Sequence, residues 1–189
     1  MNFKIYFGIC TILLTISFGF SSELNGKPFQ RIEIKRVECK GLQDFYYPNM
    51  TCYAKPYNRT TYTHTVYVKF KKHLEVYYVK LLFEYRYGNI YREIVKSPKF
   101  NWCSIVDNTN PIVKFFYKTL RLSGENLVTK CPINELDSKN VVISTDAFPD
   151  IFPRGYYRAT VEHLDKNNES FLNITAIVSL RSSDTTTFG

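Results

Sequence analysis

Apolar and polar side chains alternate along several segments of this chain, and that two-residue period constrains the fold more than any other feature. In EVYYVKLLFEYRY (75–87) one face collects Tyr77, Val79, Leu81, Phe83, Tyr85 and Tyr87, and the other Lys80, Glu84 and Arg86. In SFLNITAIVSLRS (170–182) the apolar face consists of Leu172, Ile174, Ala176, Val178 and Leu180. Alternation of this length is typical of antiparallel strands with one buried face.

The remaining strand signals are shorter. Gly88-Asn89 predicts a tight hairpin that returns through IYREIVK (90–96). TYTHTVYVKF (61–70), NVVIST (140–145) and YYRATVEHLD (156–165) also favour strands, and Asn167-Asn168 marks a turn. QRIEIKRVEC (30–39) predicts a weaker strand near a sheet edge, followed by a short strand around Cys52 that stops by Pro56.

One segment predicts a helix. Asn110 is a suitable N-cap, Pro111 suits the first helical position, and Gly124 suits the C-terminal end. Apolar residues recur along one face of the helix, while Lys114, Lys118 and Arg121 form a basic stripe. An anionic surface is one candidate partner for this stripe, but a solvated face is the simpler interpretation.

The N-terminus predicts a secretory signal peptide over residues 1–21. Lys4 precedes an apolar run of sixteen residues, Ile5–Phe20, and small residues follow at Gly19, Ser21 and Ser22. The run is shorter than the roughly 20 residues that a membrane-spanning helix needs. Residues 22–189 are then expected to form a single domain, without a transmembrane segment, in a secreted, extracellular protein.

Four cysteines remain after removal of this segment: Cys39, Cys52, Cys103 and Cys131. Cys103 precedes the predicted helix, so three roles are open to it: an activated thiol, a metal ligand or half of a disulfide. An even number in an oxidising compartment favours two disulfides. Local pairing, Cys39–Cys52 and Cys103–Cys131, is the expected arrangement, although spacing alone does not determine it.

Asn-x-Ser/Thr sequons support secretion and predict a glycoprotein. They begin at Asn49, Asn58, Asn168 and Asn173. Asn173 falls on the outward face of its predicted strand, which agrees with a requirement for solvent exposure. The expected mature charge is +7, from basic residues scattered along the chain.

Seven or eight strands with one helix predict an all-β fold, a two-sheet β-sandwich. The sequence shows neither a Gly-x-Ser-x-Gly nor a His-Glu-x-x-His motif, and no Cys/His spacing suited to zinc. The three histidines, His64, His73 and His163, are scattered, and no nucleophile with a nearby base is evident. We therefore expect no enzyme activity, no cofactor and no metal. Without clustered Arg and Lys, nucleic acid is not an expected partner either.

A combination of motifs resembles a large insect family of uncharacterised secreted proteins. Its elements here are Cys103, Asn110-Pro111, Asn126, Cys131-Pro132 and Pro153-Arg154-Gly155-Tyr156-Tyr157-Arg158, preceded by an N-terminal VEC…TC pair and a strand hairpin. That family is similar to the ML lipid-recognition superfamily, which includes ganglioside-activator proteins. The resemblance implies an immunoglobulin-like β-sandwich with an apolar pocket between its sheets. It also implies a link to chemosensation through hydrocarbon pheromones.

The resulting hypothesis is a non-enzymatic binding protein for a lipid, fatty acid or hydrocarbon, with a membrane receptor as a further candidate partner. The expected pocket residues are the inward positions Tyr77, Val79, Leu81, Phe83, Tyr85, Leu172, Ile174, Ala176 and Val178, with Phe116 and Leu120 of the helix at its lip. The main alternative is an extracellular interaction or co-receptor module with a solid core. A lipid hydrolase is a third hypothesis, for which the sequence supplies no mechanism.

Overall fold

Antiparallel strands account for most of the computed structural model, which describes residues 30–41, 50–59, 61–124, 127–128, 130–144 and 152–182. Its strands are β1 (Gln30–Gly41), β2 (Thr51–Pro56), β3 (Tyr62–Leu74), β4 (Tyr78–Tyr87), β5 (Ile90–Lys96), β6 (Phe100–Asn101), β7 (Ile133–Val141), β8 (Gly155–Leu164) and β9 (Ser170–Ser182). A 3-10 helix (Trp102–Asp107) and α1 (Pro111–Ser123) lie between β6 and β7. The signal-peptide prediction for residues 1–21 and the sequon at Asn49 lie outside these ranges.

The strands form two sheets. The larger has the order β1-β9-β8-β4-β5, with β6 also pairing with β4, and the smaller has the order β2-β3-β7. The predicted all-β, two-sheet sandwich with one short α-helix and two disulfides is confirmed for the described ranges. No helix in those ranges is both long and apolar enough to cross a membrane.

The two-residue alternation places side chains as the sequence predicts. Val79 and Leu81 of β4 are buried in the core between the sheets. Glu84, on the opposite face of β4, is ion-paired with Arg158 of β8 at 2.5 Å. β1 lies at the edge of the larger sheet, as expected from its weaker pattern.

The strand predicted at 140–145 is wrong in position. β7 instead runs from Ile133 to Val141 and pairs with β3 through Leu136↔Val68 and neighbouring residues. β7 is an edge strand of the smaller sheet, and most of its side chains are exposed or half-buried. Because most side chains of β7 are not buried, its sequence has only a weak apolar alternation. The β-branched residues Val142 and Ile143, just after it, favoured a strand more strongly.

Both predicted disulfides are confirmed. Cys39–Cys52 joins β1 to β2 and so connects the two sheets, and Cys103–Cys131 joins the 3-10 helix to the segment before β7. The second bond encloses α1 within a separation of 28 residues. Loops of these lengths correspond to stabilisation of roughly 3–4 kcal/mol per bond in the chain-entropy model. The activated-thiol and metal-ligand alternatives for Cys103 are thereby excluded.

The predicted helix is also confirmed, with its capping residues. Asn110 Oδ1 accepts hydrogen bonds from the backbone N–H of Ile112 (3.0 Å) and Val113 (3.3 Å). At the other end, the Gly124 N–H donates to the carbonyl of Leu120 at 3.0 Å. Val113 is fully buried against the core. The apolar face of α1 therefore packs toward the space between the sheets.

Candidate functional site

An apolar cavity of about 230 Å³ lies between the two sheets and beneath α1. The larger sheet contributes Ile32, Ile34, Val37, Phe83, Tyr157, Ala159, Thr160, Val161, His163, Ile174, Ala176, Val178 and Leu180. The smaller sheet contributes His64, Val66, Leu136, Asp137 and Ser138. The helices and connecting segments add Trp102, Phe115, Phe116, Thr119, Leu120, Leu127, Ile143 and Phe152.

Two small residues lie opposite each other in the cavity wall. Ala159 of β8 pairs in register with Ala176 of β9, and both strands are interior to the larger sheet. Facing residues of a sandwich normally fill the space between its sheets. A pair of methyl side chains at this position leaves room that larger residues would occupy.

Aromatic contacts hold α1 over this space. The Phe116 ring packs edge-on against Trp102 of the 3-10 helix, with centroids 6.3 Å apart. Phe115 stacks on Phe152, which precedes β8, with centroids 6.1 Å apart. The Cys103–Cys131 disulfide restrains the chain on both sides of the helix. The cavity is therefore covered by an element that is anchored at several points.

The structure brings together six of the eleven residues expected around a pocket. Phe83, Phe116, Leu120, Ile174, Ala176 and Val178 line the cavity. Tyr77, Val79, Leu81 and Leu172 are instead buried in the close-packed core and do not line it. Tyr85 also lies outside it, where its hydroxyl donates to the carbonyl of Arg154 at 2.9 Å.

The expected residues that are buried in the core miss the cavity for a geometric reason. Val79 pairs with Phe100 of β6 and with His163 of β8, so this end of β4 lies where aromatic side chains fill the sandwich. Tyr77, Phe70 and Phe171 pack there edge to face. The sequence also did not indicate that Trp102, Phe115 and Phe152 line the cavity, because the packing of the helices and of the segment before β8 against the sheets has no periodic signal.

Most polar side chains in the lining already have partners within the protein. The Thr119 hydroxyl donates to the Phe115 carbonyl (3.0 Å), and that of Ser138 donates to the Val66 carbonyl (3.3 Å). The Tyr157 hydroxyl donates to the Pro153 carbonyl at 2.5 Å. These groups contribute little free hydrogen-bonding capacity to the cavity.

Two lining residues differ, because their nitrogen atoms are buried without a hydrogen-bond partner among the described residues. They are His163, at both ring nitrogens, and Trp102, at Nε1. Both rings stack on Tyr77, whose centroid is 5.6 Å from that of His163 and 5.9 Å from that of Trp102. Desolvation lowers the pKa of His163 from 6.5 to about 3, so its imidazole is neutral at physiological pH.

His64, on the smaller sheet, also has a buried nitrogen atom without a partner in the described ranges, but its side chain is only partly buried. Its Nδ1 has no partner among the described residues, and desolvation lowers its pKa despite a hydrogen bond to the backbone of Val141. The third histidine, His73, is exposed on β3. Within the described ranges, no group of three His, Cys, Asp or Glu side chains is arranged to hold a metal ion.

The sequons that fall in the described ranges lie away from the cavity lining. Asn58 and Asn168 are exposed, although each Oδ1 already accepts a hydrogen bond, from the Thr61 N–H (2.7 Å) and from Lys99 Nζ (2.5 Å) respectively. Asn173 is half-buried on β9, where it alternates with the cavity residues Ile174 and Ala176.

The middle of the chain matches a known protein family. No curated protein matches the sequence significantly. Residues 79–159 match the model of a family described as "Protein of unknown function (DUF1091)". That segment runs from β4 into β8 and includes α1 and both cysteines of the Cys103–Cys131 disulfide. Over these residues, which include α1 and part of each sheet's contribution to the cavity lining, the chain is similar to DUF1091 proteins.

Proposed function

We propose that this protein is a secreted binding protein without catalytic activity, which holds an apolar ligand between its two sheets. The observation that carries the proposal is the cavity of about 230 Å³, with a lining dominated by aliphatic and aromatic side chains. An apolar cavity of about 150 Å³ is sufficient to bind a ring such as benzene, and drug-sized ligands occupy pockets from about 300 Å³ upward. The volume therefore suits a small or slender lipid.

Affinity would arise mainly from removal of the ligand's apolar surface from water. Each 100 Å² of apolar surface buried contributes about 2.5 kcal/mol before the costs of ordering the ligand are subtracted. The disulfide-restrained helix and sheets limit the ordering cost on the protein side. A preformed apolar cavity in a sandwich is consistent with this mode of binding.

Two disulfides support the extracellular part of the proposal, because such bonds persist mainly in oxidising compartments. The signal-peptide pattern and the exposed sequons at Asn58 and Asn168 point the same way. An ML-like relationship and a chemosensory role, in which a membrane receptor would be the partner, follow from the resemblance of the motifs and remain part of the hypothesis.

A solid-core interaction module is the alternative, and filling the cavity distinguishes the two. Ala176→Phe places a ring in the cavity, whereas Ile177→Phe adds bulk on the opposite face of the same strand. We expect Ala176→Phe to weaken binding of an apolar fluorescent probe, N-phenyl-naphthylamine, at least tenfold and Ile177→Phe to leave it unchanged.

The same proteins should be tested by native mass spectrometry after expression in a eukaryotic secretory system. We expect wild-type protein to carry co-purified lipid and Ala176→Phe to carry less. Absence of both bound lipid and saturable probe uptake by the wild-type protein would reject the binding function and favour the interaction module.

A further inference from the structure

His163 on β8 and Trp102 on the 3-10 helix differ chemically from the aliphatic part of the cavity lining. His163 and Trp102 are both lining residues, with exposed fractions of 3% and 5%, and both stack on the buried Tyr77. His163 Nδ1 and Nε2 and Trp102 Nε1 lack hydrogen-bond partners among the described residues. Burial of such groups without a partner is costly, because they lose their hydrogen bonds to water. This arrangement is therefore expected where a ligand atom supplies the partner.

The three nitrogen atoms define which chemistry would be complementary. A neutral imidazole has one donor and one acceptor, and the indole Nε1–H is a donor only. A hydroxyl group can both donate and accept, and a carbonyl or ester oxygen can accept from either donor. A saturated hydrocarbon can satisfy none of them.

The charges around the cavity disfavour an anionic head group. No lysine or arginine is among the described residues of the lining, and its one ionisable acid, Asp137, is ion-paired with Lys139 at 2.7 Å. The basic residues of α1, Lys114, Lys118 and Arg121, are exposed and do not line the cavity. A carboxylate moved into this cavity would lose its hydration without gaining a counter-ion.

We propose that the part of the lining that carries His163 and Trp102 binds an uncharged oxygen group, so that the ligand is a neutral oxygen-bearing lipid such as a long-chain alcohol, ketone or ester. This inference rests on the proposed function and specifies its ligand class. The aliphatic chain would lie along Ala159, Ala176 and the other aliphatic side chains of the larger sheet. His163 would supply the principal hydrogen bond, with Trp102 Nε1 as a second donor.

The test compares dodecane, dodecanol and dodecanoate as competitors of N-phenyl-naphthylamine at neutral pH. The variants are His163→Phe and Trp102→Phe, which keep an aromatic ring but remove the nitrogen atoms. The measured quantity is the ratio of the dissociation constant for dodecane to that for dodecanol. Comparing this ratio between wild type and variant removes the difference in the ligands' own hydrophobicity. The matched control is Thr175→Val, which removes a hydroxyl on the outward face of β9, outside the cavity lining.

We expect the ratio to fall about fivefold in His163→Phe, which is the loss of one neutral hydrogen bond, and to stay unchanged in Thr175→Val. We also expect dodecanoate to bind more weakly than dodecanol to the wild-type protein. An unchanged ratio in His163→Phe, or tighter binding of dodecanoate than of dodecanol, would overturn the inference while leaving the proposed function in place. Failure of all three competitors to displace the probe would reject the proposed function itself. If His163→Phe does not fold, the ratio in Trp102→Phe decides in the same way.

Discussion

The buried imidazole of His163 should make the protein lose stability in mildly acidic solution. Its ring is enclosed by Tyr77 and Phe171, its neighbours in register are Val79 and Leu172, and none of the described residues offers a charged partner for a proton there. Desolvation therefore lowers the pKa of His163 from 6.5 to about 3 in the folded protein. The unfolded chain takes up this proton near pH 6.5, whereas the folded protein resists it.

The sign and size of the effect follow from proton linkage. Between these two pKa values the unfolded state binds more protons than the folded state, so the free energy of unfolding falls as pH falls. Its limiting slope is about 1.4 kcal/mol per pH unit. From pH 7 to pH 5, titration of one such histidine removes roughly 2 kcal/mol of stability. His163→Phe should remove this pH dependence.

Urea unfolding at both pH values measures the effect directly. Trp102, the one tryptophan of the sequence, is buried beside Tyr77 and reports unfolding by its fluorescence. His64 also has a lowered pKa and contributes in the same direction, so the quantity to compare is the pH-dependent loss in wild type and in His163→Phe. Equal losses in the two proteins would refute the assignment of a neutral, desolvated imidazole to His163.

Three further predictions concern local structure, and thermal or urea unfolding checks each. Asn110→Ala should cost about 1 kcal/mol, because two backbone N–H groups of α1 lose their acceptor, while Asn110→Asp should retain most of the stability. Replacement of both Cys103 and Cys131 by serine should cost roughly 3–4 kcal/mol, and an unchanged midpoint would contradict the bond. Gly155→Ala should destabilise the protein, because φ is +146° there and a Cβ atom would lie 2.7 Å from the Tyr85 hydroxyl. Partial recovery of stability in a Gly155→Ala, Tyr85→Phe double variant would support that cause.

Elements defined by local signals could be predicted from the sequence. The residues that begin and end α1 carry their own capping chemistry, and the hairpin at Gly88 has a positive φ of 58° in the structure. The cysteine pairs, at separations of 13 and 28 residues, are the local pairing that the sequence favours, although spacing alone leaves the other pairings open. β7 was misplaced because an edge strand with many exposed side chains has little apolar period.

About half of the expected cavity residues line the cavity. The two-residue period shows which face of a strand a side chain lies on, but it does not show which residues that side chain contacts. His163 falls on the inward face of its strand together with Ala159 and Val161. Whether a residue on that face packs in the solid core or lines the cavity depends on which side chains of the opposite sheet and of the helices lie against it. The aromatic residues from the 3-10 helix and α1 are remote in sequence from β8, so their packing is a tertiary property.

The pairing of β8 with β9 shows how sensitive the cavity is to such long-range detail. The turn between them is held by Asp165, whose Oδ1 accepts from the N–H groups of Asn167 (2.8 Å) and Glu169 (2.9 Å). Leu164 pairs with Ser170, but His163 pairs with Leu172, so Phe171 is an extra residue in the ladder. Without that bulge, Ala159 would lie opposite Thr175 instead of Ala176, and an inward position would face an outward one. The sequence indicates the turn between β8 and β9. The register beyond it depends on the burial of both Phe171 and Leu172. That register places the two alanines of the cavity wall opposite each other.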